Sequence, residues 1–178
     1  NPTNTEIFII DHKTIEVPKT IISLKKWNGF PIANTFGGKG LIDFDGTPMF
    51  AELAILKIFN LSGWNARWIE TYGAKPTSPY HFSNWLDCKL TEQPVDMITD
   101  ENVMQVMNSM SNFNNNTFAG CWDIIGWLDN KIVFAELKRS KKDRLRNSQY
   151  NWLSAGLNHG LTSSNFLIVE WDYIETSF

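Results

Sequence analysis

The segment from Gly120 to Arg139 leaves the chain little choice of local structure. Residues 122–128 and 131–139 are two runs rich in aliphatic and aromatic side chains, separated only by Asp129-Asn130. Two such runs joined by two turn-forming residues predict a tight antiparallel hairpin. Side chains alternate along a strand, so Ile132, Phe134, Glu136 and Lys138 share one face. Val133, Ala135 and Leu137 take the other face. Asp123 stands at the start of the first run and Glu136-x-Lys138 near the end of the second. Antiparallel pairing brings those two ends together. An Asp, a Glu and a Lys at adjacent strand ends suit magnesium-dependent hydrolysis of a phosphodiester.

The remaining elements are read around that hairpin. Thr47 as cap, Pro48 in the first turn and Gly63 as stop predict a helix over 48–62. That helix is apolar nearly all round, so it is expected to be buried, and Glu52 lies within it on the face of Met49, Leu56 and Phe59. Residues 66–72 alternate as a strand. Residues 147–158 predict a helix whose stripe of Gln149, Trp152, Leu153, Gly156 and Leu157 packs on a sheet, and residues 165–173 a largely buried strand. Residues 1–46 read as an irregular extension with short β-like runs at 6–10 and 21–24. The glycine-rich Gly37-Gly38-Lys39-Gly40 lacks the Lys-Ser/Thr ending of a phosphate-binding loop and is read as a turn. Residues 73–118, with three prolines and an Asn-rich stretch, read as an insertion carrying a short helix near 100–110. The expectation is one domain over 1–178, with its core at about 48–72 and 120–173. Its fold class is α/β, a mixed central sheet flanked by helices.

The net charge is −3, which announces no nucleic-acid partner, yet six of the nine residues from Lys138 to Arg146 are basic. Such a patch can hold a phosphate backbone while the whole chain stays acidic. A solvated loop is the plainer reading of the charges alone. Arg139, Lys141, Lys142, Arg144 and Arg146 are the candidate nucleic-acid contacts. Cys88 and Cys121 make no disulfide framework and fit a reducing cytoplasm. His12, His81 and His159 show no zinc-ligand spacing. No apolar run reaches the roughly 20 residues of a membrane helix, and no signal peptide is evident. A cytoplasmic protein without a membrane partner is expected.

Each candidate residue also has a plainer explanation. A Glu-x-Lys triplet can be an exposed strand face, and Asp123 a residue of a strand-start turn. Glu52 can be paired with a core Arg or Lys, and Gln149 can be a structural helix residue. Their joint order, on helix, strand, strand and helix, is what coincidence reproduces poorly. Glu52, Asp123 and Glu136, with the Leu137 carbonyl, are the expected ligands of Mg²⁺ or Mn²⁺. Lys138 is expected to position a water or neutralise developing charge, and Gln149 to orient the lysine, the water or a phosphate oxygen.

With those residues in view, region 48–172 resembles the PD-(D/E)xK nuclease superfamily. Residues 123–160 resemble more narrowly its VRR-NUC (virus-type replication-repair nuclease) family. The matching features are Gly120-x-x-Asp123, Trp127, Glu136-x-Lys138, Asp143-Arg144-Leu145, Gln149, Trp152-Leu153 and Gly160. Trp122 stands where the family usually has proline, and Arg139-Ser140 replace a usual Gly-Pro. The resemblance implies a restriction-endonuclease-like αβββαβ core. It also implies a metal-dependent DNA endonuclease, with catalytic roles falling on Glu52, Asp123, Glu136, Lys138 and Gln149. Relatives in that family act in DNA repair, phage replication and restriction, often on branched DNA. The alternatives are a non-catalytic nucleic-acid-binding module on the same fold, or a protein-interaction domain using exposed Trp85, Phe113 and Phe118. A homodimer is expected if two strands are to be cut, since symmetric pairs are the commonest oligomer.

Overall fold

The computed structural model describes residues 2, 4–30, 36 and 38–174. Nine strands are present among them: β1 (Asn4–Ile10), β2 (Lys13–Leu24), β3 (Leu41–Phe44), β4 (Thr47–Phe50), β5 (Asn65–Lys75), β6 (Ser78–Phe82), β7 (Ile124–Leu128), β8 (Lys131–Arg139) and β9 (Phe166–Tyr173). The α-helices are α1 (Ala51–Leu61), α2 (Glu101–Phe113) and α3 (Asn147–His159). Seven strands form one mixed sheet in the order β1-β2-β9-β8-β7-β5-β6, and β3 and β4 form a separate hairpin. The fold is α/β. The expected helix–strand–strand–strand–helix–strand order is present as α1, β5, β7, β8, α3, β9, with β6 and α2 inserted after β5.

The hairpin of β7 and β8 forms as its sequence demands. Ile124 pairs with Ala135 and Leu128 with Lys131, and Asp129 takes φ +51° in the turn. β8 then pairs in parallel with β9, Glu136 opposite Ile168. A parallel partner needs a crossover, and α3 supplies it. Gly160 ends α3 with φ +107°, a conformation glycine adopts without a Cβ penalty.

The sheet separates two apolar layers. On one face α2 and α3 bury Met107, Met110, Trp152 and Leu153 against Phe134 and Phe166. On the other, α1 and the β3–β4 hairpin bury Leu53, Leu56, Met49 and Phe50 against Trp68, Ile124 and Ala135. The opposite assignment of Phe134 and Ala135, neighbours in β8, is the expected alternation.

Several expectations need correction. Within the stretch expected to be an irregular extension, residues 4–24 form two long strands. β1 and β2 pair antiparallel from Asn4–Lys19 to Ile10–Lys13, and β2 joins the main sheet parallel to β9. Pro18 survives in this inner strand because pairing to β9 starts at Lys19, one residue later. The first helix begins at Ala51, not at residue 48. Asp45 and Gly46 turn with φ +50° and +79°, and Thr47–Phe50 pair back on β3, so Thr47 and Pro48 serve a strand. Met49 therefore shares no helix face with Glu52. Gly37, the first residue of the expected glycine-rich turn, lies outside the described residues, while Gly38 takes φ +71°. The insertion builds α2 and edge strand β6, and Met107 and Met110 of α2 are fully buried.

Two of the three aromatics named for a protein contact are not exposed. Phe118 is buried, and Trp85 packs within 5.1–5.5 Å of the Phe36, Phe50, Trp68 and Phe82 rings. Of the three aromatics, Phe113 alone is exposed. No helix among the described residues is long and apolar enough to cross a membrane.

Candidate active site

A cleft of about 830 Å³ opens where β5, the start of β7, the end of β8 and the first turn of α3 meet. Glu52, Asp123, Glu136, Leu137, Lys138 and Gln149 all line it. The local chain explains the convergence. Asp123 immediately precedes β7, and Oδ2 accepts the Leu137 N–H at 2.9 Å, which ties it to β8. Leu137 thus meets Asp123 through its N–H.

Glu136 is 1 % exposed, so its partners matter. Oε1 lies 2.8 Å from Lys138 Nζ and accepts Gln149 Nε2 at 2.5 Å. Gln149 Oε1 in turn accepts Lys138 Nζ at 3.1 Å and the Arg146 N–H at 2.8 Å. Gln149 therefore caps α3 and joins the carboxylate to the lysine in one network. Its position is fixed further by Trp122, fully buried, whose indole N–H donates to the Gln149 carbonyl at 3.2 Å. Trp122 thus anchors the helix start.

Gly120 has a steric reason. With φ +79° it lies against α3 so closely that an added Cβ would sit 2.1 Å from the Ser148 carbonyl oxygen. The Gly-x-x-Asp spacing lets the helix start approach the strand that carries Asp123.

The carboxylates repel one another. Burial, and then the charge of Glu52, raise the Asp123 carboxyl to about 6. Burial and the charge of Asp123 push Glu136 well above the ordinary glutamate value. Glu136 Oε2 is buried and has no hydrogen-bond partner among the described residues. Glu52, in the first turn of α1, is paired with Lys39, as a carboxylate on a buried helix must be paired.

The donor chemistry fits a hard divalent cation. These are oxygen ligands, mutually repelling, with one buried oxygen unpartnered. Among the described residues, no three His, Cys, Asp or Glu side chains stand together at metal-ligating spacing. Lys39 and Lys138 instead hold Glu52 and Glu136 individually.

The basic loop divides. Arg139, Lys142, Arg144 and Arg146 line the cleft, the last three exposed, whereas Lys141 is exposed away from it. Arg139 is already engaged. Its Nε lies 3.2 Å from Asp172 Oδ1, and its guanidinium sits 4.5 Å from the Tyr173 ring centre.

Two cleft residues escaped the sequence reading. Lys39 was hidden in a glycine-rich turn, and only the demand of Glu52 for a cation could have pointed to it. Glu70 continues the buried Ala66–Trp68 face of β5, and a carboxylate at i+4 on such a face is the signal. Burial raises its carboxyl too.

No protein-family model, curated protein or solved structure matches this chain.

Proposed function

We propose that this chain is a divalent-metal-dependent nuclease hydrolysing DNA phosphodiester bonds, of the PD-(D/E)xK type and resembling the VRR-NUC family. One observation carries the reading. Asp123, Glu136, Lys138 and Gln149 come from four separate sequence positions and line one cleft, whose mouth bears exposed Lys142, Arg144 and Arg146.

Asp123, Glu136 and Glu52 would hold Mg²⁺ or Mn²⁺. When bound, such a cation activates a water at neutral pH and takes up charge on the phosphate. Lys138 places an ammonium beside Glu136, where it neutralises charge developing on the phosphate or orients the attacking water. Gln149 fixes the direction of that ammonium through Oε1. Lys142, Arg144 and Arg146 hold the phosphate backbone at the mouth. Cys88 and Cys121 are free thiols, which supports the cytoplasmic setting.

The test is cleavage of single-stranded, duplex, flap and four-way-junction DNA with Mg²⁺ or Mn²⁺. Activity lost in Asp123→Ala, Glu136→Ala and Lys138→Ala is the expected result; full activity in all three sinks the assignment. The second reading, a non-catalytic DNA-binding module, is favoured by the lysine-held acids, which do not stand at ligating spacing. It predicts salt-sensitive binding and no cleavage with any metal.

A further inference from the structure

The nuclease reading gives no role to Lys39. This residue precedes β3, outside the helix-and-strand core that carries the other cleft residues, yet its ammonium enters the cleft and pairs with Glu52. Its place is built. Nζ stands 4.8 Å from the Phe36 ring centre and 5.1 Å from that of Trp68, and both rings are buried. Aromatic faces attract a cation and hold it in position. The Lys39 charge also acts on Asp123 and Glu70. Three of the five carboxylates that line the cleft therefore feel one internal ammonium. Of the other two, Asp143 accepts the Arg139 N–H, and Glu136 faces Lys138 and keeps Oε2 unpartnered among the described residues.

Buried carboxylates require compensating positive charge, and two cations that compensate the same oxygens compete for them. We infer that Lys39 is a positioning residue that competes with the divalent cation for Glu52 and Asp123, and so sets how much metal the site requires. The inference rests on the nuclease reading of the same cleft.

Lys39→Met removes the charge and keeps an apolar stem between Phe36 and Trp68. Lys39→Gln gives a second neutral variant, and Lys39→Arg preserves the charge. Mn²⁺ is titrated into each chelator-treated protein without DNA, and binding is read from the rise in melting temperature. The neutral variants are expected to melt lower than wild type in chelator and to bind Mn²⁺ about tenfold more tightly. Lys39→Arg should keep the wild-type affinity, which a merely space-filling role would not require. An unchanged Mn²⁺ affinity in both neutral variants overturns the inference. DNA cleavage by the wild type separates the two readings. Cleavage with unchanged affinity removes only the role of Lys39. Absence of both cleavage and Mn²⁺ binding removes the nuclease as well.

Discussion

Lys138 and Glu136 stand two residues apart on one face of β8, their Nζ and Oε1 atoms 2.8 Å apart, with the glutamate almost wholly out of water. Exposed ion pairs contribute little and are screened by salt. This one is different in kind, because removing either partner leaves a charge in a buried network that also includes Gln149. The triplet is therefore no ordinary exposed strand face. Its two charged members hold each other at the floor of a cleft.

The Asp123 carboxyl sits at about 6, above the usual aspartate value, because burial and Glu52 oppose its charge. Ionising it costs stability as pH rises from the unfolded value through 6. Asp123→Asn removes that charge and keeps an oxygen able to accept the Leu137 N–H. In chelator at neutral pH the variant is expected to be more stable than wild type by about 1–3 kcal/mol. Urea denaturation measures this, and cleavage should be lost in the same protein. Destabilisation of the same size would contradict the repulsion.

His81 carries a second, opposite pH dependence. It is 1 % exposed and accepts the Ile98 N–H on Nδ1 at 3.2 Å, so it is buried neutral. Burial and then the Arg67 charge lower it to about 4. The unfolded chain binds this proton more readily, so stability falls as pH drops from about 6.5 to 4. The expected loss reaches about 3 kcal/mol once pH has fallen through 4. His81→Asn should remove that part of the acid sensitivity. Parallel denaturation curves of the two proteins at pH 7 and 4.5 report it as a difference of differences.

Gly120→Ala is expected to destabilise by at least about 2 kcal/mol, from a left-handed residue and a clash with the Ser148 carbonyl. Cleavage should fall further than stability explains, because the start of α3 carries Gln149. Thermal melting and activity at a temperature where the variant stays folded separate the two effects.

Replacing Lys142, Arg144 and Arg146 together by Ala should weaken DNA binding and lower the magnitude of its salt slope by about 2–3. Lys141→Ala, on a residue outside the cleft, should leave both nearly unchanged. Fluorescence anisotropy at several salt concentrations gives the slope.

What could be read in advance was local. The β7–β8 hairpin announced itself through alternation and a two-residue turn, and α3 through its stripe. The start of α1 was misread because Thr47-Pro48 is also a good helix opening. The turn at Asp45-Gly46 and pairing to β3 prevailed over that local preference. The second half of β2, residues 19–24, is held by pairing with β9, far along the chain, which no local window contains. Lys39 escaped for the same reason. Its meaning lies in Glu52 and in two aromatic rings supplied by other segments.

The parallel pairing of residues 19–24 with 168–173 has a consequence for how the protein is made. The first hairpin emerges from the ribosome before the strand it must lie against exists. Until β9 arrives, the edge of β2 that it pairs with has no partner strand. A nascent chain stalled before residue 166 would thus present an unpaired edge to chaperones or to its neighbours on the same messenger. Completion of the final strand closes the sheet across both ends of the described chain in one step.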